Sequence, residues 1–319
     1  MFHNSSFLSE ETGVKKSFFK RIKLDLKKNI ILYLIFLPVL AYFIIFKYVP
    51  MYGILMAFKD YQVRLGVWDS PWVGFEHFLR FFRSYNFGML IKNTLSISFY
   101  SLIIGFPIPI IFALFLNYLK HERLKKTIQM VSYAPHFIST VVMCGMISIF
   151  FNAETGIVNT LIGFLGIESV DFLGSPEWFK HLYVWTGVWQ GTGWSAIIYI
   201  SALSGVDAQL HEAAIIDGAT KLQRIWYVDL PSIKPTIIML LIMKVGSLMD
   251  VGFEKVFLLQ NDLNISSSSI ISTYVYQVGL INADYGYSTA IGLFNTVINL
   301  ILLLVANYVS KKLAEESLF

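Results

Sequence analysis

A series of long apolar runs constrains this chain more than any other feature. Six stretches reach about twenty residues, the length an α-helix needs to cross the hydrocarbon of a bilayer. They are residues 30–49, 90–116, 128–151, 182–203, 236–259 and 288–309. Inside lipid the backbone must satisfy its own hydrogen bonds, so such runs are helices. The expected fold is all-α, an integral membrane protein with six transmembrane helices. Composition agrees: 55% of the 319 residues are hydrophobic and 14% are charged, against about a quarter charged in an average soluble domain. The formal net charge of +4 is too small to imply a nucleic-acid partner. The single cysteine, Cys144, cannot form an internal disulfide, and its apolar neighbours imply inert packing.

Orientation follows from where Lys and Arg fall between the runs. With a cytoplasmic N-terminus, the inner segments carry Lys15, Lys16, Lys20, Arg21, Lys23, Lys27 and Lys28, then Lys120, Arg123, Lys125 and Lys126, then Lys221, Arg224 and Lys234, and finally Lys311 and Lys312. That is 16 of the 25 basic residues, so both termini are expected in the cytoplasm. Residues 1–29 read as a basic cytoplasmic segment resting on anionic lipid. They do not read as a cleaved signal peptide, because the apolar run behind them is too long and no small-residue cleavage site follows. Residues 30–89 are then the first transmembrane helix and an outer loop, residues 90–310 a core of five helices, and residues 311–319 a cytoplasmic tail. In the outer loop, Trp68, Trp72 and the phenylalanines after them suit a membrane–water interface. Contact with a substrate-delivery protein and simple anchoring both account for them.

Between the fourth and fifth runs lies a polar-rich stretch at residues 212–231, EAAIIDGATKLQRIWYVDLP. The charge bias places it in the cytoplasm. Asp207 stands where it can cap a short helix with Leu210, Ala213 and Ala214 on one face. Gly218 is the natural stop, because glycine tolerates the left-handed conformation that closes a helix. Thr220 opens a second helix, and Gln223 three residues on completes a capping box. Pro231 and Pro235 mark its end and the start of the next membrane helix. The product, over residues 207–235, is a helix–glycine–helix hairpin at the membrane surface, a rigid knob for another protein to grip.

Polar residues within the runs are the other informative feature. The fourth run carries Trp185, Trp189, Gln190, Gly191, Gly193 and Trp194. Aromatic faces beside an amide suit the C–H face and hydroxyls of a sugar ring. Gly187 and Gly191 form a GxxxG pair of the kind that packs helices closely. In the fifth run, Lys244, Ser247, Asp250, Val251, Glu254 and Lys255 fall within an arc of about 140° if the run is one helix. Lys244 then lies about 14 Å deep and should face a protein interior or a water-filled path. The sixth run shows Ser288, Gly292, Asn295 and Asn299 as a small, polar stripe for helix packing. Pro107 and Pro109 near the middle of the second run fit a gating helix or a packing kink equally well. Residues 260–287 read as an outer loop.

The hairpin resembles the EAA motif of ABC importer permeases: Glu-Ala-Ala, three residues, Gly, nine residues, Ile, one residue, Leu-Pro. Glu212, Ala213, Ala214, Gly218, Leu230 and Pro231 stand at that spacing, with Val228 where Ile is usual. WQGTGWSAIIYISAL, VGFEKVFLLQ, TYVYQVGL and GLFNTVINLILLLVANYVSKKL extend the likeness. They are similar to the carbohydrate-uptake branch, and within it to the LplB-like, polysaccharide-type group and the alginate and maltose importer permeases. The resemblance implies a type I ABC importer permease fold in a bacterial cell membrane. It implies that Glu212, Ala213, Ala214, Asp217, Gly218, Leu230 and Pro231 couple the chain to a cytoplasmic ATPase present in two copies. It further implies a second, distinct permease, an extracytoplasmic solute-binding lipoprotein, and an oligosaccharide or polysaccharide fragment as cargo. In the maltose system sugar is held between the spans that flank this loop. Gln190, Gly191, Trp194, Lys244, Ser247 and Val251 are the candidate pathway residues here.

No GxxxxGK[ST] sequence is present, so this chain has no P-loop. ATP and Mg are expected on partner subunits, with no cofactor, metal or catalytic residue in this one. The six histidines show no i,i+4 pair and no neighbouring cysteine pair. Two other classes stay open. An ion-gradient-driven secondary transporter would use Lys244, Asp250 and Glu254 as a relay. A membrane enzyme acting on lipid-linked sugars would need a catalytic constellation that does not appear. A homodimer is not expected, because two copies of the Lys244–Asp250–Glu254 arc would oppose like charges across a two-fold axis.

Overall fold

The computed structural model describes residues 26–314 and divides the chain into two compact units, residues 1–54 and 55–319. Most of the expected basic N-terminal segment, and residues 315–319 of the tail, lie outside the described residues. Regular structure among the described residues is helical, apart from one isolated antiparallel bridge between Lys59 and Trp72. The first unit is built on α1, Ile30–Phe43. A wider π turn, Ile44–Tyr48, and a tighter stretch, Val49–Phe58, follow it, and the boundary between the units falls within that last stretch.

In the second unit a short helix, α2 (Glu76–Arg83), leads into α3 (Phe87–Gly105) and α4 (Pro107–Asn117), which together make one 31-residue run. Pro107 opens α4, where its missing N–H is harmless. The third run is not one straight span. It comprises α5 (Glu122–Tyr133), a 3-10 turn at Ala134–Phe137, and α6 (Thr140–Phe150), bent by 100° at the break. Pro135 interrupts the ladder, and the extended Ser139 restarts it by accepting a 3.3 Å hydrogen bond from the Val142 N–H. The fourth run sits in α7 (Pro176–Ser204), 29 residues long. Its glycines, threonines and Gln190 leave it too polar to count as an apolar span.

The hairpin helices are α8 (Ala208–Ile216) and α9 (Lys221–Arg224). The expected break at Pro231 does not occur. A π turn, Ile225–Asp229, carries α9 directly into α10 (Leu230–Gly246), so Lys221–Gly246 is one 26-residue helix. The wider turn absorbs the hydrogen bond that the Pro231 nitrogen cannot make. The fifth run also breaks, because α10 ends at Gly246 and α11 begins only at Phe253, ending at Leu259. Residues 260–287, expected as an outer loop, instead hold α12 (Ile271–Tyr276), extended by a π turn at Gln277–Ile281. Ile270, Ile271 and Val278 there are buried. The last helix is α13 (Tyr285–Ala314). By length and apolarity, four described helices can cross a membrane, or five if the bent pair counts as one. The expected number was six.

Three apolar clusters hold the second unit. Ile110, Ala113 and Leu114 of α4 pack with Ala196, Tyr199 and Leu203 of α7 and Ile233 of α10. Ile97 of α3 meets Met143, Cys144 and Ile147 of α6, Phe179 of α7 and Val256 of α11. Phe81, Leu90, Ile271, Val278, Tyr287 and Ile291 form the third. Asn93, almost fully buried, donates to the carbonyls of Ser266 (2.9 Å) and Ser269 (3.1 Å), while Thr94 Oγ1 accepts from the Ile271 N–H. These bonds pin the segment before α12 to α3.

Candidate functional site

Helices α3, α4, α7 and α10, with the segment after α10, line an open cavity of about 890 Å³. Its wall includes Gln190, Gly191, Trp194, Lys244, Ser247 and Val251, so the structure brings all six sequence candidates for the pathway to one space. They arrive there differently than expected. Since α10 ends at Gly246, the fifth run presents no single charged arc. Lys244 lies in the last turn of α10, Ser247, Asp250 and Val251 lie in the break, and Lys255 lies on α11. The argument against a homodimer from a charged helix face loses its basis with that arc.

The break is held by side chains from its neighbours. A Cβ on Gly246 would overlap Leu303 of α13, so the two helices touch there. Asn299 accepts the Met249 N–H at 2.9 Å, Asn295 donates to Asp250 Oδ1 at 3.0 Å, and Tyr183 Oη accepts the Gly252 N–H at 3.1 Å. The polar stripe on α13 thus clamps a non-helical backbone. Lys255 is 9% exposed; its Nζ donates to the Tyr183 carbonyl at 2.9 Å and stands 4.9 Å over the Tyr183 ring.

Gln190 and Trp194 are partly engaged by the bend in the third run. Gln190 Nε2 donates to the Ile138 carbonyl at 2.9 Å. The Trp194 indole stacks on His136 with ring centroids 4.4 Å apart. Trp185 and Trp189 lie off the cavity wall. The GxxxG pair is also not a close helix contact: a Cβ on Gly191 would meet nothing within 4 Å, and one on Gly187 only the Lys255 amine at 3.4 Å. The close approach is at Gly193, where a Cβ would run into the Ser132 carbonyl of α5. Sequence reasoning left Ser98, Ser101, Tyr183, Asp250 and Lys255 off the pathway list, although all line the cavity. The buried lysine within an apolar run was the signal available for Lys255.

The hairpin is built by local caps. Asp207 accepts from the Gln209 N–H at 2.9 Å. Gly218 has φ +78°, with its N–H on the Ile215 carbonyl (3.0 Å) and the Ala219 N–H on the Ala214 carbonyl (2.8 Å), a Schellman closure. Thr220 and Gln223 form a reciprocal capping box. Glu212, Ala213, Asp217, Gly218 and Pro231 are exposed, while Ala214 and Leu230 are half-buried. Beneath the hairpin, Asp229 is wholly buried, and its Oδ2 accepts a 2.6 Å bond from the hydroxyl of Tyr118, which follows α4. Burial first, and this carboxylate second, hold the Tyr118 hydroxyl well above its ordinary pKa, so it stays a donor. Among the described residues no group of three or more His, Cys, Asp and Glu side chains is placed to hold a metal.

Comparison with known proteins places this architecture. A family model described as "Binding-protein-dependent transport system inner membrane component" matches residues 105–315. Protein LplB of Bacillus subtilis (strain 168) is 45% identical over 294 residues, 92% of each chain. The polygalacturonan/rhamnogalacturonan transport system permease protein YteP of the same organism is 44% identical over 305 residues, 96% of this chain and 95% of that protein. A crystal structure of a bacterial ABC transporter involved in the import of the acidic polysaccharide alginate contains a chain 39% identical, with TM-score 0.86, covering 92% of this chain and 99% of that one. A second, of a bacterial alginate ABC transporter in complex with an alginate pentasaccharide-bound periplasmic protein, matches at 38% identity and TM-score 0.86, covering 93% and 100%. With helices of this order, an EAA-type hairpin and a family match over most of its length, the chain belongs to the inner-membrane components of binding-protein-dependent transport systems and has the ABC importer permease fold.

Proposed function

We propose that this chain forms half of the translocation pathway of an ATP-driven importer for an acidic oligosaccharide or polysaccharide fragment. One observation carries the reading: a cavity of about 890 Å³ whose wall bears Gln190, Gly191, Trp194, Lys244, Ser247 and Val251 together. That volume is at the upper end of the roughly 300–1,000 Å³ of small-ligand sites, room for a short stretch of sugar. Lys244 and Lys255 bring two cations to the wall against one acid, Asp250, which accepts from Asn295. The balance favours carboxylated sugars, in line with the alginate and polygalacturonan systems named among the relatives.

An extracytoplasmic binding lipoprotein delivers the sugar, and a second, distinct permease completes the pathway in a bacterial cell membrane with both termini of this chain in the cytoplasm. Two copies of an ABC ATPase carry the ATP and Mg, and one of them grips this hairpin through Glu212, Ala213, Ala214, Asp217 and Gly218, with Leu230 and Pro231 fixing its base. Closure of the ATPases moves the hairpin and rocks the spans open outward; hydrolysis resets them. The test is uptake into proteoliposomes holding this chain, its partner permease and the ATPase, with binding protein outside. Oligosaccharides from polygalacturonate and alginate digests should enter when ATP is inside, and maltooligosaccharides should not. Uptake driven by an ion gradient without ATP would overturn the reading.

A further inference from the structure

Asp229 is the only acidic side chain buried among the described residues, and it is 0% exposed. It occupies a position that the EAA spacing leaves unspecified, in the π turn between α9 and α10. Three parts of the chain meet at it. Tyr118, at the end of α4, donates to Oδ2 at 2.6 Å. His211 of α8 brings Nε2 to 3.3 Å from Oδ1 without making a hydrogen bond. Arg224 of α9 holds its guanidinium 5.5 Å over the Tyr118 ring. Asp229 Oδ1 and Arg224 Nε are both buried with no hydrogen-bond partner among the described residues.

This arrangement is a poor device for stability alone. A buried ionic group is often replaceable by apolar residues without loss, and a half-satisfied polar network is unfavourable. Orphaned buried atoms call for a reason, and the location of these supplies one. The α3–α4 run lines the cavity at Ser98, Ser101, Gly105, Phe106 and Pro109 and reaches Asp229 at Tyr118. Pro109 and Tyr118 are nine positions apart, about 14 Å along a helix. Among these residues, the Tyr118–Asp229 bond is a polar tie between the hairpin and a wall of the cavity.

We propose that Asp229 is a positioning residue for transport, transmitting hairpin movement to the second membrane run through Tyr118. Asp229 Oδ1, which has His211 Nε2 at 3.3 Å but no hydrogen bond, and Arg224 Nε, which also has none, are the groups that a second arrangement of the hairpin engages. The proposal rests on the coupling role given to the hairpin above. The test uses the assembled importer in proteoliposomes, with a polygalacturonate digest as probe, and measures sugar taken up per ATP hydrolysed. Tyr118→Phe removes one oxygen and should lower that ratio by about tenfold, since the lost bond is to a charged group, while assembly and ATP hydrolysis persist. Asp229→Asn keeps an acceptor for Tyr118 and should lose less than Asp229→Leu. The double variant Tyr118→Phe/Asp229→Asn should fall short of the summed single effects, because both act on one bond. Should the Asp229 variants fail to assemble, Tyr118→Phe alone decides. A wild-type ratio in Tyr118→Phe, or loss of ATP hydrolysis or assembly along with uptake, would overturn the assignment. A wild-type importer without ATP-driven uptake would overturn the transport reading itself, and this assignment with it.

Discussion

Gly218 offers a substitution whose effect can be worked from backbone geometry alone. Its φ is +78°, and a Cβ built on it meets nothing within 4 Å. No clash is available, so the whole penalty of a side chain is conformational. For an ordinary L-residue the left-handed region costs roughly 1–2 kcal/mol. Asn tolerates it better, and a β-branched residue worse. The expected order of hairpin stability is therefore Gly, Asn, Ala, Val. The Ala219 amide reports on it directly, because it donates to the Ala214 carbonyl at 2.8 Å only while the turn is closed. Hydrogen exchange at that amide should accelerate about 5- to 30-fold in Gly218→Ala, the factor that 1–2 kcal/mol produces. It should accelerate more in Gly218→Val and least in Gly218→Asn. Uptake per ATP should follow the same order if the closed hairpin is what the ATPase grips. Equal exchange in the Asn, Ala and Val variants would refute the reasoning, because it would mean the turn does not depend on left-handed geometry.

Other substitutions separate the helix contacts from the cavity wall. Asn299→Leu strips the Met249 N–H of its acceptor in a buried site and should lower stability by about 1–3 kcal/mol, read as thermal unfolding of the purified chain in detergent. Gly193→Val should destabilise by a similar ~1–3 kcal/mol, because its Cβ would meet the Ser132 carbonyl. Gly191→Ala, which faces open space, should stay within about 0.5 kcal/mol of wild type. The reverse result would restore the GxxxG pair as the packing contact. Lys255→Met should lower uptake of polygalacturonate oligosaccharides; undiminished uptake would remove Lys255 from the reading of an acidic cargo.

What was legible in the residues follows the range of the forces involved. The hairpin could be read because its caps act over two to five residues: Asp207 to Gln209, Gly218 to Ile215, Ala219 to Ala214, Thr220 with Gln223. The candidate pathway residues converge because polar and small side chains within apolar runs avoid lipid. The two breaks were not read. Pro135 and Ser139 are a local signal for the first, and Ser247, Asp250 and Gly252 for the second, but both lie inside long apolar runs. The partners that satisfy the opened backbone stand 50 or more residues away: Asn299 for Met249 and Gln190 for Ile138. Asp229 was passed over because the motif assigns its position no identity, and its burial depends on Tyr118, 111 residues earlier.

The two breaks also explain how a cavity is sustained among membrane helices. A backbone that leaves the helix within apolar surroundings exposes N–H and C=O groups that lipid cannot satisfy. Here the Ile138 carbonyl takes the Gln190 amide, the Met249 N–H takes Asn299, and the Gly252 N–H takes Tyr183. Two of these three partners, Gln190 and Tyr183, lie on α7 and on the cavity wall. Side chains of the cavity wall are therefore among those that hold the breaks in place. Gln190 cannot turn to a hydroxyl without releasing a carbonyl at the bend, and Trp194 cannot offer both faces while one lies on His136. If the proposed pathway is correct, a sugar that draws on the Gln190 amide hydrogen or the covered Trp194 face competes with contacts that shape the cavity, and such binding would favour a second arrangement. On the proposed pathway, Lys244 is the exposed group of this wall without such a tie, while the Ser247 hydroxyl already donates to the Met243 and Lys244 carbonyls.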